Sequence, residues 1–211
     1  GFANSLGQRN WHESTSFNFE WSLYDRGDKA VKSGYAGVEW DAAHLQQSMD
    51  SAAQQLALLR LPARRIAAAQ YRAYLAPRAL DELLGLLGWG GFSAKSRAIK
   101  RSPLLRMQEG QRLHEAVTLR EHTAAGVAPG FQSDGYVKPP SVTLIDRGAL
   151  GDALVAPRTA KEYGLLCNGA SSAESPQSME MAAGDLPAAQ VLSALDTGLY
   201  INNLWYLNFS D

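Results

Sequence analysis

The stretch Ser141 to Gly164, SVTLIDRGALGDALVAPRTAKEYG, constrains the fold more than any other part of the chain. Val142 and Leu144 alternate with polar neighbours as a half-buried strand does. Asp146-Arg147-Gly148 has turn chemistry, and a second extended run begins over Ala149 to Val155. Pro157 suits the first turn of a helix, where a backbone N–H has no intrahelical acceptor, and Tyr163-Gly164 supplies the stop. The reading is strand, tight turn, strand, helical turn.

Upstream, Asn4-Ser5-Leu6-Gly7 reads as a turn. Phe17, Phe19, Trp21 and Leu23 alternate with Asn18, Glu20 and Ser22, which predicts a strand with one wet face. Asp25-Arg26-Gly27-Asp28 turns the chain into an antiparallel partner over Ala30 to Glu39, where Gly34 and Gly37 mark a bulge, a close backbone approach or a plain irregular strand. Asp41 is placed as an N-cap, and Leu45, Met49, Ala52, Leu56 and Leu59 fall on one face of a helix from about Ala42 to Arg60. After Leu61-Pro62, Ile66 to Leu75 reads as a strand, and Pro77 starts a helix through Leu80, Leu83, Leu84 and Leu87 that Gly88-Trp89-Gly90-Gly91 ends as a cap and hinge. A short helix over Ala188 to Leu195 and a buried strand over Leu199 to Leu207, with Trp205 and Tyr206, close the chain. The fold class is α+β: antiparallel β-hairpins with helices, leading into a β-rich C-terminal part.

Chemistry is harder to place. No apolar run approaches the ~20 residues that span a bilayer, so no membrane role is expected. Lys95, Arg97, Lys100, Arg101 and Arg106 form a basic run over Ser93 to Arg106, but no aromatic residues interleave and the net charge is -1, so a solvated helix face is favoured over nucleic-acid binding. HEAVTLREH, from His114 to His122, holds two histidines and two glutamates. A zinc peptidase helix of the H-E-x-x-H type needs histidine four residues after His114, where Thr118 stands. His114 and His122 are eight residues apart, about 12 Å along a helix or 27 Å along a strand, too far to share one ion from a regular element. The segment is read as a strand with Glu115, Val117, Leu119 and Glu121 in phase. His114, Glu115, Glu121, His122 and Cys167 are candidate metal ligands, and they form a site only if tertiary folding gathers them. Cys167 is the single cysteine, which excludes an internal disulfide; it follows an apolar run and is read as a buried, inert thiol.

LIDRGALGDALVAPRTAKEYG resembles the hairpin of the TldD/PmbA family. Ser102-Pro103-Leu104, Glu109-Gly110, Phe131, Gly135 and Gly198-Leu199-Tyr200-Ile201 follow the family's order. The resemblance implies that this is a fragment of a longer protein, with residues 1–59 ending a central α+β domain and residues 60–211 forming an incomplete C-terminal β-rich domain. Catalytic TldD-type subunits carry H-E-x-x-x-H, but the fifth residue after His114 is Leu119. The resemblance therefore implies the TldE/PmbA class: a cytoplasmic, non-catalytic subunit of a zinc metallopeptidase complex acting on small or unfolded peptides. It would bind no cofactor itself, with zinc held by a TldD-type partner in a hetero-oligomer, or else form a homodimer. An independent regulatory protein of the gyrase-modulator type is the alternative, and a self-sufficient metallohydrolase the lesser one.

Overall fold

The computed structural model describes residues 1–204 and 206–208. In chain order the strands are β1 (Phe2–Ala3), β2 (Arg9–Asn10), β3 (Phe17–Tyr24), β4 (Ala30–Gly37), β5 (Ala73–Leu75), β6 (Leu119–Glu121), β7 (Val142–Asp146), β8 (Ala149–Leu150), β9 (Met179–Met181) and β10 (Leu199–Ile201). The helices are α1 (Ala42–Leu59), α2 (Pro77–Leu87), α3 (Ala94–Ala98), α4 (Leu105–Gln108), α5 (Pro157–Tyr163) and α6 (Val191–Leu195), the last preceded by a 3₁₀ turn over Ala188–Gln190. Mixed helices and mostly antiparallel strands make this an α+β protein. The chain forms two compact units interleaved in sequence. One comprises Gly1–Ser14, Leu83–Pro187 and the chain from Leu207 onward, the other Thr15–Glu82 and Ala188–Tyr206. Among the described residues no helix is long and apolar enough to cross a membrane.

The unit containing Leu83–Pro187 is built on a four-stranded antiparallel sheet in the order β8-β7-β6-β9. Its core gathers Phe92, Leu104, Met107, Leu119, Val142, Leu144, Ile145, Leu154 and Ala170. The β7–β8 hairpin pairs Ile145 with Leu150 and Asp146 with Ala149, leaving Arg147 (φ 42) and Gly148 (φ 77) as the two turn residues. Two positive φ values match the right-handed twist of the flanking strands. Glycine is required at the second position on space as well, because a Cβ there would lie 2.2 Å from the Leu113 carbonyl oxygen. As expected, α5 begins at Pro157 and ends at Gly164 in the left-handed conformation (φ 66). The regular second strand is shorter than the sequence suggests: beyond Leu150 the ladder becomes irregular, although Gly151 and Asp152 still donate to the Leu144 and Thr143 carbonyls of β7, and Leu154 bridges to Ser93 instead. Asn4 accepts from Leu6 and Gln8 to close the expected turn between β1 and β2.

In the other unit β3 and β4 pair in unbroken antiparallel register from Phe17–Gly37 to Tyr24–Ala30, so Gly34 and Gly37 make no bulge. Helix α1 covers the apolar face of this hairpin, with Ala52 buried and the Asp41 carboxylate accepting from the amides of Ala43 and His44. Phe17, Tyr35 and Trp40 form an aromatic cluster at centroid separations of 4.8 to 5.3 Å. The exposed His44 ring lies beside Tyr35 at a centroid separation of 4.9 Å. The strand expected over Ile66 to Leu75 is confined to β5, which pairs in parallel with β10. The expected strand from Leu199 to Leu207 is also shortened, to Leu199–Ile201, and its Trp205 lies outside the described residues.

Candidate functional site

The sequence candidates divide around β6. Leu119 and Glu121 share its inward face, 1% and 5% exposed, as strand alternation requires. Both carboxylate oxygens of Glu121 accept from the backbone amides of Gln177 and Ser178 at 3.0 to 3.2 Å, so the acid anchors the chain entering β9. Lys138 donates to the Gln177 side-chain carbonyl. Burial pulls the Lys138 ammonium below its ordinary pKa, with attraction from Glu121 working against that fall. Glu121, Lys138 and Gln177, together with the apolar Val142, Leu154 and Ala170, line a small cavity of about 10 Å³, room for one water at most.

His122 faces the opposite way, and its Nδ1 meets the Glu180 carboxylate on β9. The pair is 33% and 44% exposed. His114 lies apart, accepting from the Ala116 amide at 3.1 Å, and Glu115 sits exposed in the same turn. The strand expected from His114 to His122 is thus reduced to Leu119–Glu121, because His114 and Val117 close a turn instead. Cys167 is exposed, not buried as expected. Its sulfur accepts from the Gly169 amide at 3.3 Å, because the apolar run Leu165-Leu166 points outward with it. Among the described residues no three His, Cys, Asp or Glu side chains converge as a metal site. Glu121 is turned toward backbone amides and His122 toward Glu180.

The most connected polar residue is one that sequence reasoning missed. Glu174 is 2% exposed, yet it lies in a stretch, Ala170 to Pro187, that reads as a small, polar loop. Its carboxylate accepts from Ser93 Oγ at 2.6 Å, the Lys95 amide at 2.9 Å and the Ala156 amide at 2.8 Å, with a further bond from Thr159. Burial by itself pushes this carboxyl up, but the hydrogen bonds outweigh it and hold the group below its ordinary value. One acid thereby satisfies the N-terminal ends of both α3 and α5, while Ser93 Oγ also caps the Ser96 amide at 3.0 Å. No local signal identifies Glu174, since its side-chain partners are 15 to 81 residues away. The basic run is corrected in part as well. Arg97 is no solvated side chain: it donates to the carbonyls of Gly151 and Asp152 at 2.9 and 3.0 Å. Its burial pulls the guanidinium below its ordinary pKa, and Asp152 opposes the shift.

With this geometry in place, residues 68–211 match the PmbA/TldA metallopeptidase C-terminal domain. The chain belongs to the PmbA/TldD family. No curated protein matches its sequence. Solved structures share its fold, and three of them bear the following likeness to this chain. A candidate DNA gyrase modulator from Thermotoga maritima superposes with a TM-score of 0.70 at 16% identity, over 89% of this chain and 44% of its own. A second candidate modulator, from Bacteroides thetaiotaomicron, gives 0.64 at 15% identity, over 88% and 42%. TldE from Thermococcus kodakarensis gives 0.65 at 14% identity, over 91% and 46%. This PmbA/TldD chain therefore spans less than half the length of each. The family's Ser102-Pro103-Leu104 run has a clear local role, for Ser102 Oγ donates to the Gly91 carbonyl and accepts from the Leu104 amide, both at 3.1 Å.

Proposed function

We propose that this chain is part of a TldE/PmbA-like, non-catalytic subunit of a cytoplasmic zinc metallopeptidase complex acting on small or unfolded peptides. A TldD-type partner carrying H-E-x-x-x-H supplies the zinc, the water it activates and a glutamate base. The supporting observation is the commitment of this chain's own donors. Glu121 spends both carboxylate oxygens on the Gln177 and Ser178 amides, and His122 is held by Glu180 on the other face of the sheet. Side chains engaged in this way build walls and interfaces rather than a metal centre.

The test is reconstitution. The full-length chain is mixed with a TldD-type subunit, and peptide cleavage and zinc per chain are measured together. H114A/H122A is expected to leave cleavage within about two-fold of the parent, as befits a pair remote from the reacting atoms. A loss of several orders of magnitude, or one tightly held zinc in this chain alone, would reject the assignment. Activity without any TldD-type partner would point to the self-sufficient enzyme.

A further inference from the structure

The unit containing Thr15–Glu82 holds an open cleft that the reading above does not use. It lies between the β3–β4 turn and the end of α1, measures about 670 Å³, and is lined by Asp25, Arg26, Lys29, Leu59, Arg60, Leu61, Pro62 and Ala63. Asp25 accepts from Arg60 Nε at 3.1 Å and Nη2 at 3.3 Å, which holds the guanidinium beside the cleft, and among the described residues its other N–H donors make no hydrogen bond. Among the described residues, Arg26, Lys29, Arg64 and Arg65 form no ion pair. Over residues 25–29 and 60–65 the cations are Arg26, Lys29, Arg60, Arg64 and Arg65, against only Asp25 and Asp28, and Asp25 is already paired. Between these charges lies exposed apolar surface, with Leu61 62% exposed.

We propose that this cleft docks a short acidic peptide bearing leucine-like side chains. Its carboxylates meet Arg26, Lys29 and Arg60, and its apolar groups lie on Leu59, Leu61 and Pro62. Arginine forks suit carboxylates, and an apolar floor beside them favours peptide over a bare anion. Single-stranded nucleic acid fits less well, because no aromatic residue lines the cleft for a base to stack on and the chain carries no net positive charge. The proposal is independent of where the zinc resides.

The experiment is fluorescence anisotropy on the full-length chain, using a fluorescein-labelled alternating Glu/Leu peptide, its Lys/Leu counterpart and a single-stranded oligonucleotide of equal charge to the acidic peptide. The Glu/Leu peptide is expected to bind most tightly. R26E/K29E, placed on a solvent-exposed turn, should weaken it about ten-fold or more, and R64E/R65E should weaken it less. Circular dichroism confirms that each variant is folded, and the milder R26A/K29A, expected to weaken binding in the same direction, decides the matter if the charge-reversed turn variant is not. The proposal is overturned by an absence of binding, by equal binding of the Lys/Leu peptide, by unchanged affinity in R26E/K29E, or by tighter binding of the oligonucleotide.

Discussion

In the unit built on β6 to β9, Glu121 and Glu174 are 5% and 2% exposed and each accepts several hydrogen bonds from named amides or hydroxyls. In the hairpin unit, Arg26, Arg64 and Arg65 are exposed and Lys29 is half-buried, and the Asp25–Arg60 pair that stands beside them has an arginine side chain 63% exposed. The same class of side chain does different work in the two places. A buried carboxylate must be fully bonded or it destabilises the fold, so the first unit uses acids as internal struts. Exposed charge adds little to stability, which leaves the second unit's cations available for recognition.

The sharpest way to break this comparison is Glu174→Ala. It removes the acceptor of Ser93 Oγ and of the Lys95 and Ala156 amides at once, and should cost about 3–5 kcal/mol in urea unfolding. The pH dependence carries a definite sign. Because the folded carboxyl lies below its ordinary value of 4.5, its contribution is fully present above that pH and is lost as pH falls through the lower folded value. Glu174→Gln should flatten this acid limb of the stability curve. A parent curve already flat there would contradict the strut role.

Glu121→Ala should cost less, about 2 kcal/mol, since only the Gln177 and Ser178 amides lose their acceptor and a small cavity beside them can admit water. Hydrogen exchange at those two amides is the direct readout, and unchanged protection would show that β9 is held by its strand pairing alone. Smallest of all is Arg60→Ala, expected to change stability by less than about 1 kcal/mol, with the effect falling as salt is added. A cost as large as that of Glu121→Ala would erase the distinction between the two units.

How far the sequence reaches follows from how local each cause is. The β7–β8 turn, the Pro157 start and Gly164 stop of α5, the Asp41 cap and the β3–β4 hairpin are all written within a few residues, and each was readable. Strand lengths were not: Ile66 to Leu75 has strand-like composition, but only Ala73–Leu75 finds a partner, and that partner is β10, far along the chain. At the candidate site, the phase of Glu121 with Leu119 was legible from alternation. The role of Glu121 was not, because it depends on amides 56 and 57 residues away. Cys167 was misread because an apolar run was taken to be buried, whereas Leu166 is 93% exposed. Glu174 carries no motif at all, since every one of its contacts is made by chain folding.

The reach of that single acid bears on how the protein is made. Ser93 and Glu174 are 81 positions apart, so at about 5–20 residues per second the ribosome takes on the order of several seconds to produce the second after the first. Throughout that interval the start of α3 lacks the carboxylate that later satisfies it, and Phe92 beside it awaits the strands of its core. The nascent chain thus passes through a period in which this segment is a natural client for chaperones, and the pace of translation between residues 93 and 174 sets how long that period lasts.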